Sequence, residues 1–502
     1  MKIKLIAAAV AASTSFGAMA LAPTATPDIV LSVSGATAAD KQFENYVNQT
    51  CKPGTLDTFN NPSDAASAFF CTVEDGTVTG LSGDKDVLFR KESGGSSTGV
   101  EPTTNATTVP GLDLSTCVDD GATNGDAAVG DNFWGCSDTT ISVLSEVGIS
   151  DVEPELFAIA ANGSKNVNLS VPLTVSPVNA QTFGIVVTPD LRDALQAAQG
   201  MTVGSDEVAN MPSLSRNVIA NIFAGNVDTW DNLVDGTGNP IAVNSNNVEV
   251  CVRTPGSGTQ AQFNAFYMGN ACAYRGAGDL GFQGLNTALD TDGNQNDINI
   301  PELFPNFPAP APYIHKNKGS SDMGKCLTNL AAEGRTGMGI QSLEKVDEGR
   351  TNRNNFKYLA IDGVTPTLEN VAAGLYHNWA TLSIQWRNDI VGTDAEKLAL
   401  ANRFISIAQD VPAVATFNAS LQDDSPSSPN DDRPVGGFRI PEILDGGSPA
   451  NVGALALATA INQVSVPWST ANPVIPFNKG LVGPSACAIP KMSDKVDVSN
   501  QN

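Results

Sequence analysis

The chain has 502 residues, 41% of them hydrophobic, which is room for two globular domains of ordinary size. Acidic residues outnumber basic ones 53 to 28, and the formal charge of −25 argues against nucleic acid or an anionic membrane as partner. The only two histidines, His315 and His377, have no metal-ligand partner at standard spacing, so neither a Ser/His/Asp triad nor a metal-dependent phosphatase finds support, and the expectation is a protein that is not an enzyme.

Residues 1–20 combine Lys2 and Lys4, an apolar run from Leu5 and an Ala18-Met19-Ala20 cleavage site, the pattern of a secretory signal peptide. No Cys follows that site to carry a lipid, and no later run has the length of a membrane span. The expected product is soluble and exported, periplasmic or secreted, without membrane insertion. Losing both lysines with the leader takes the charge to −27. Eight cysteines in an exported chain favour disulfides over thiol or metal chemistry. Pairing neighbours in sequence gives Cys51–Cys71, Cys117–Cys136 and Cys251–Cys272, and leaves Cys326–Cys487 as a long-range staple.

Ile29 to Val33 reads as a strand running into Ser34-Gly35-Ala36-Thr37 and a helix through Phe43 and Tyr46. Residues 51–80 are small and polar around two cysteines and look inserted. Asp86 to Arg90 is a short strand before the Gly/Ser turn Gly94-Gly-Ser96-Ser97-Thr-Gly99. Residues 101–132 form a disulfide-tied loop, after which Phe133-Trp-Gly-Cys-Ser-Asp138 ends an aromatic strand on a carboxylate. Pro172 to Thr188, apolar and β-branched, crosses into a second domain, and Ser213 to Asp235 reads as a helix ending in a Gly turn and a Trp.

Val248 to Asn270 organises the rest: a buried strand (Val248, Val250, Val252), a turn with Gly256, Ser257 and Gly258, then a helix with Phe263, Phe266 and Tyr267 inward. Unpaired N–H groups at the first turn and the positive end of the helix dipole make such a turn an anion site in the making. Arg253 adds a charged fork, and Ser257 and Thr259 add hydroxyls. The Lys of a Walker A loop is absent. An ordinary N-cap is the bland alternative for the turn alone.

Asp290, Asp292, Asn294 and Asn296 have the oxygen spacing of a calcium loop. Gly293 comes two positions too early for an EF-hand, however, and Pro301 stands where its Glu belongs, so a solvated turn is the simpler reading and Ca2+ the alternative. Lys318 to Asp322 caps a helix through Leu330, and Gly337 to Ile340 starts a strand. Residues 422–435 read as a mobile loop and 491–502 as a disordered tail.

In this order the segments resemble the phosphate-binding protein of bacterial phosphate ABC importers. Ser34-Gly-Ala-Thr37 is similar to the family's N-terminal Gly/Ala/Thr motif, Gly94 to Gly99 to its Gly/Ser turn, and Gly135-Cys-Ser-Asp138 to its Gly-Ala-Ser-Asp. Asn221 to Leu233 resembles its helix and Trp-containing segment, Arg253-Thr-Pro-Gly-Ser-Gly-Thr259 matches its Arg-x-x-Gly-Ser-Gly-Thr, and Lys318 to Gln341 resembles its Lys-Gly helix and following strand. The resemblance implies an α/β, two-domain type II periplasmic-binding-protein fold with a hinge, mixed sheets flanked by helices, and long disulfide-tied insertions near 51–80, 101–130, 275–312 and 420–450. Residues 28–180 with about 372–490 would form one domain and 181–371 the other. Thr37, the Ala38 N–H, Ser96 or Ser97, and Asp138 would bind from the first; Arg253, Ser257, Gly258 and Thr259 from the second. Ala38 stands where the family has Phe.

A carboxylate only accepts hydrogen bonds, so Asp138 would favour an anion that keeps a proton, HPO₄²⁻ over sulfate. The expected function is capture of inorganic phosphate or a related oxyanion for uptake, with an ABC transporter membrane component as partner. The alternative is a secreted surface or matrix protein using this scaffold to bind calcium or partners.

Overall fold

The computed structural model describes residues 25–61, 66–92, 94–119, 132–158, 162, 166–227, 229–269, 302–303, 313–343, 345 and 355–420, with short strands at 455–457, 474–475, 477–478 and 491–492. The first part gives β1 (Ile29–Gly35), α1 (Asp40–Asn48), β2 (Asp57–Asn61), β3 (Ala66–Val73), β4 (Lys85–Glu92), a 3-10 turn at Ser96–Gly99, α2 (Glu101–Asn105), β5 (Thr108–Gly111), β6 (Cys117–Asp119), β7 (Asn132–Cys136), β8 (Ile141–Leu144) and β9 (Val147–Ser150). After β10 (Leu173–Val187) come α3 (Pro189–Ala198), β11 (Ser213–Leu214), α4 (Arg216–Phe223), β12 (Glu249–Arg253), α5 (Gly258–Phe266), β13 (Glu302–Leu303), β14 (Tyr313–Asn317), α6 (Ser320–Ala332), β15 (Gly337–Ser342), β16 (Lys357–Ile361) and α7 (Leu368–Ala372). The chain returns through β17 (Trp379–Arg387), α8 (Ala395–Gln409) and α9 (Val411–Ser420), and β18 (Leu455–Leu457) and β19 (Val474–Ile475) follow.

Apart from β5 and β8, which pair only with each other, these strands form two mixed sheets flanked by helices. The first runs β6–β7–β2–β3–β4–β1–β9–β17–β10–β18–β19, with β4, β1 and β9 parallel and β17 antiparallel to β9. The second runs β13–β14–β12–β15–β10–β16–β11, with β14, β12 and β15 parallel. Only β10 belongs to both. Its residues Leu173–Thr182 pair with β17, and Phe183–Val187 pair with β15. A register shift at Pro177, which has no N–H to give a ladder, bends the strand on the way.

Each sheet has its own core. Leu31, Val33, Phe89 and Ile149 pack with Phe43 of α1 and Leu400 and Phe404 of α8 in the first. Val250, Val252 and Ile340 pack with Phe263 of α5, Leu327 of α6, Trp230 and Trp379 in the second. A third cluster joins the halves: Val152 and Phe157 from the first, Ala261 and Ala265 of α5 from the second, and Phe183 and Ala380 from the strands between.

Several expectations meet the structure differently. The stretch around residues 51–80 supplies strands β2 and β3 of the first sheet. The stretch 213–235 does hold a helix, Arg216–Phe223, that ends in a Gly turn, with Gly225 at a φ of +76°, before Trp230 starts a separate 3-10 turn. Among the cysteines, Cys51–Cys71 and Cys117–Cys136 pair as neighbours, but Cys251 joins Cys326 instead of Cys272. The reason is topological: β12 and α6 pack against each other across the second core, so residues 75 apart in sequence are neighbours in space. The alternative pairs through Cys272 and Cys487 lie, with the proposed calcium ligands, outside the described residues.

Non-reducing peptide mapping is expected to recover the linked pairs 51–71, 117–136 and 251–326 and no peptide joining Cys251 to Cys272. A second expectation concerns Glu92, a β4 carboxylate with 0% exposure. Burial pushes it above its ordinary value of 4.5, and Arg90, bonded at 2.8 Å, pulls it only part of the way back. The folded state then binds this proton more tightly than the unfolded chain, so the group's stabilising contribution is full below 4.5 and declines as pH rises through the raised folded value. Urea unfolding of Glu92→Gln across that window should show a flatter loss of stability with pH than the parent, and an unchanged slope would contradict this assignment.

Candidate functional site

Three parallel strands of the first sheet, β4, β1 and β9, end on the same edge, and so do β12, β14 and β15 of the second. Chain segments leaving parallel strands at their C-terminal ends enter helices N-terminus first, which brings backbone donors to the crevice between two such edges. From the first half come the Thr37–Ala39 turn after β1, the Ser96–Gly99 turn after β4, and Asp151 after β9. From the second come Arg253 at the end of β12, Ser257 to Thr259 entering α5, and Lys318 to Ser320 entering α6.

The second half is built around Arg253, 2% exposed. Its backbone N–H donates to Gln260 Oε1 at 3.1 Å, Nη1 donates to Ser320 Oγ at 3.0 Å, and Nη2 donates to the Lys318 carbonyl at 2.7 Å. The guanidinium is thereby fixed to the N-terminus of α6, which the 251–326 disulfide ties to β12. Ser257 is the N-cap of α5, accepting from Gln260 N at 3.3 Å. Thr259 is 2% exposed, and its hydroxyl has no hydrogen-bond partner among the described residues. A buried hydroxyl without a partner costs about 1–3 kcal/mol, so it marks a place where a ligand atom is favourable.

The first half meets this turn directly. Ser97 N donates to the Gly256 carbonyl at 2.9 Å, and Asp151 N donates to Ser96 Oγ at 3.1 Å. A Cβ on Gly258 would collide with Ser96 Oγ and lie 2.6 Å from Asp151 Cβ, and one on Gly95 would lie 2.9 Å from the Gly256 carbonyl. Gly256 itself has a φ of +94°, which a side chain would strain. Asn162 closes the junction from outside: its backbone carbonyl accepts from Gly256 N at 3.2 Å and its Oδ1 accepts from Asn264 Nδ2 at 3.0 Å. Thr37, half-buried, and Ala38, buried, stand beside the Ser96–Gly99 turn, because Ser34 Oγ donates to the Thr98 carbonyl at 2.8 Å.

Ser96, Ser97, Ser257 and Gly258 are thus brought together, with Arg253 and Thr259 on the same turn and Thr37 and Ala38 on the neighbouring strand end. Asp138 is not. It follows β7, which is separated from β1 by β2, β3 and β4, and its backbone carbonyl serves Asp113 N at 2.9 Å. The carboxylate at the junction is Asp151, 3% exposed. Its local sequence, Val147-Gly-Ile-Ser-Asp151, repeats the Gly-x-Ser-Asp spacing of Gly135 to Asp138. Hydrophobicity separates the two: Val147 and Ile149 are fully buried in a central strand, as a parallel strand covered on both faces requires, while β7 lies near the sheet edge. Among the described residues no group of three His, Cys, Asp or Glu has the arrangement of a metal site.

The close approach at Gly258 yields a test. Gly258→Ala must push Ser96 or Asp151 away and is expected to cost about 1–3 kcal/mol in urea unfolding. Gly236→Ala, where nothing lies within 4 Å, should leave the midpoint unchanged.

No protein-family model matches the chain, and no curated protein matches its sequence. Among solved structures it is similar to a putative phosphate ABC transporter substrate-binding protein with bound phosphate from Clostridium perfringens, at 13% identity and a TM-score of 0.38 over 77% of this chain and 97% of that one. An ABC-type phosphate transport receptor from Vibrio cholerae is also 13% identical, with a TM-score of 0.35 over 74% of this chain and 93% of that one. The reduced OxyR regulatory domain from Pseudomonas aeruginosa is 9% identical, with a TM-score of 0.28 over 75% of this chain and 98% of that one. Likeness at this level is one of α/β layout, common to transport receptors and a regulator.

Proposed function

We propose that the chain is an exported solute-binding protein that captures HPO₄²⁻ or a related oxyanion between its two halves, for delivery to an ABC transporter membrane component. The observation that carries this reading is the junction of Ser96 and Asp151 with the first turn of α5, where Thr259 holds a buried hydroxyl. Arg253, the Ser and Thr hydroxyls and the N–H groups of the turn supply donors; Asp151 supplies an acceptor. A tetrahedral oxyanion with one proton satisfies both kinds of group, and sulfate, without a proton at neutral pH, presents only lone pairs to the carboxylate. The chain's negative charge repels anions at long range, so affinity rests on these short-range donors and on the helix dipole. Closure of the halves over the anion removes water and strengthens each contact.

Calorimetric titration with inorganic phosphate and, separately, sulfate near neutral pH tests this. Saturable phosphate binding with sulfate ignored is expected. Asp151→Asn and Arg253→Ala should each weaken it by about 1.5–3 kcal/mol, roughly ten- to a hundredfold in Kd. Asp138→Asn should bind as the parent does. Absence of heat with either anion, on protein refolded to remove carried-over ligand, would sink the reading in favour of a secreted scaffold.

A further inference from the structure

Lys91 belongs to none of the motifs that the binding reading uses, yet it is 1% exposed at the base of the cleft's first half. It stands on β4 opposite Val33 of β1, and its side chain runs toward the C-terminal end of that strand. A buried ammonium must find acceptors. Its Nζ has Asp40 Oδ1 at 2.9 Å, the Gly35 carbonyl at 3.0 Å and the Glu92 carbonyl at 3.4 Å.

Two of these acceptors bracket the Thr37–Ala39 turn. The peptide joining Gly35 to Ala36 is pinned from both sides, its carbonyl by Lys91 and its N–H by the Ile149 carbonyl at 2.9 Å. Gly35 takes a φ of +119° there, and any Cβ would strike Ile149 O. Asp40, the first residue of α1, is held at the far end of the turn by the same ammonium. Neither the 3-10 turn nor α1 has a side-chain cap, so these anchors direct the N–H groups of the turn.

Charge points the same way. A carboxylate in the first turn of a helix occupies the position that an anion would otherwise take, and bare it would repel one. Lys91 cancels it. We propose that Lys91 is a positioning residue for the oxyanion: it fixes the Gly35–Asp40 turn and neutralises Asp40, so that Thr37 and the Ala38 N–H can face an anion in a strongly acidic protein. This rests on the oxyanion reading and adds to it a group that never touches the ligand.

The test titrates inorganic phosphate into the full-length mature protein and into Lys91→Met, Asp40→Asn and the double variant, with thermal unfolding of each. Lys91→Met should raise Kd about tenfold or more, the scale on which supporting residues act. Asp40→Asn loses one anchor together with the negative charge, so it should lower the melting temperature and raise Kd by clearly less than Lys91→Met does, and the double variant should fall between Lys91→Met and Asp40→Asn. An ion pair that only holds the fold together would shift Kd alike in both single variants. That result, or a parental Kd in Lys91→Met, overturns the proposal. Should Lys91→Met not fold, the double variant must still bind more weakly than Asp40→Asn, and equality between them overturns it as well. A parent that binds no phosphate overturns the oxyanion reading and this proposal together, whereas a binding parent with unaffected variants overturns this one alone.

Discussion

One strand decides how the two halves stand. β10 carries 15 residues through both sheets and changes partner between Thr182 and Phe183, so the edges that bear the site residues are held facing each other. The change-over is tightly bonded. The Phe183 N–H donates to the Asn378 carbonyl at 2.9 Å, its carbonyl accepts from Tyr376 Oη at 2.7 Å, and Leu343 N donates to the Thr182 carbonyl at 3.0 Å. Rotation of one half on the other would have to act here, on few bonds and with the rest of each sheet intact, which is the physical content of a hinge. The small cluster of Val152, Phe157, Phe183, Ala261 and Ala380 gives the closed arrangement apolar area to bury.

The electrostatics of the cleft follow from that geometry. A protein this acidic would not hold an anion by net field, and the two buried cations beside the cleft, Arg253 and Lys91, are bonded to fixed acceptors: Arg253 to Ser320 and the Lys318 carbonyl, Lys91 to Asp40 and the Gly35 carbonyl. Such groups would lose little entropy on binding a ligand, because their side chains are already ordered. The donors around them are preorganised in the same sense. The 251–326 disulfide continues this on the second half by joining the strand that bears Arg253 to the helix whose start receives it.

Much of this was legible in the residues. Alternation of apolar residues at Val250 and Val252, followed by Gly256, Ser257, Gly258 and Thr259, announced β12, the turn and α5 together, since strand period, positive-φ glycine and N-cap all agree there. Pro172 to Thr188, apolar and β-branched, was readable as an extended stretch, and it supplies the single strand β10 that runs through both sheets. The failures have a common cause. Asp138 and Asp151 carry the same local Gly-x-Ser-Asp signature; the apolar Val147 and Ile149 before Asp151 are the one local difference, and what that difference decides, the place of each strand in the sheet, is a tertiary property. Cys251 paired with Cys326 for the same reason, since sequence nearness to Cys272 says nothing about which helix packs on β12. Lys91 gave no signal at all, as a lone Lys on a strand ordinarily points to solvent.

The bond between Cys251 and Cys326 also bears on chain length. It encloses a loop of 75 residues, and in a chain-entropy picture such a closure restrains the unfolded state by about 4 kcal/mol. That restraint grows only with the logarithm of loop length, by about 0.6 kcal/mol per doubling. Residues added between α5 and β14 are therefore nearly neutral for the second core, whose strand and helix stay joined however long the intervening chain becomes. A lineage can lengthen that stretch, and diverge in it, without disturbing the register of the strands that carry the cleft.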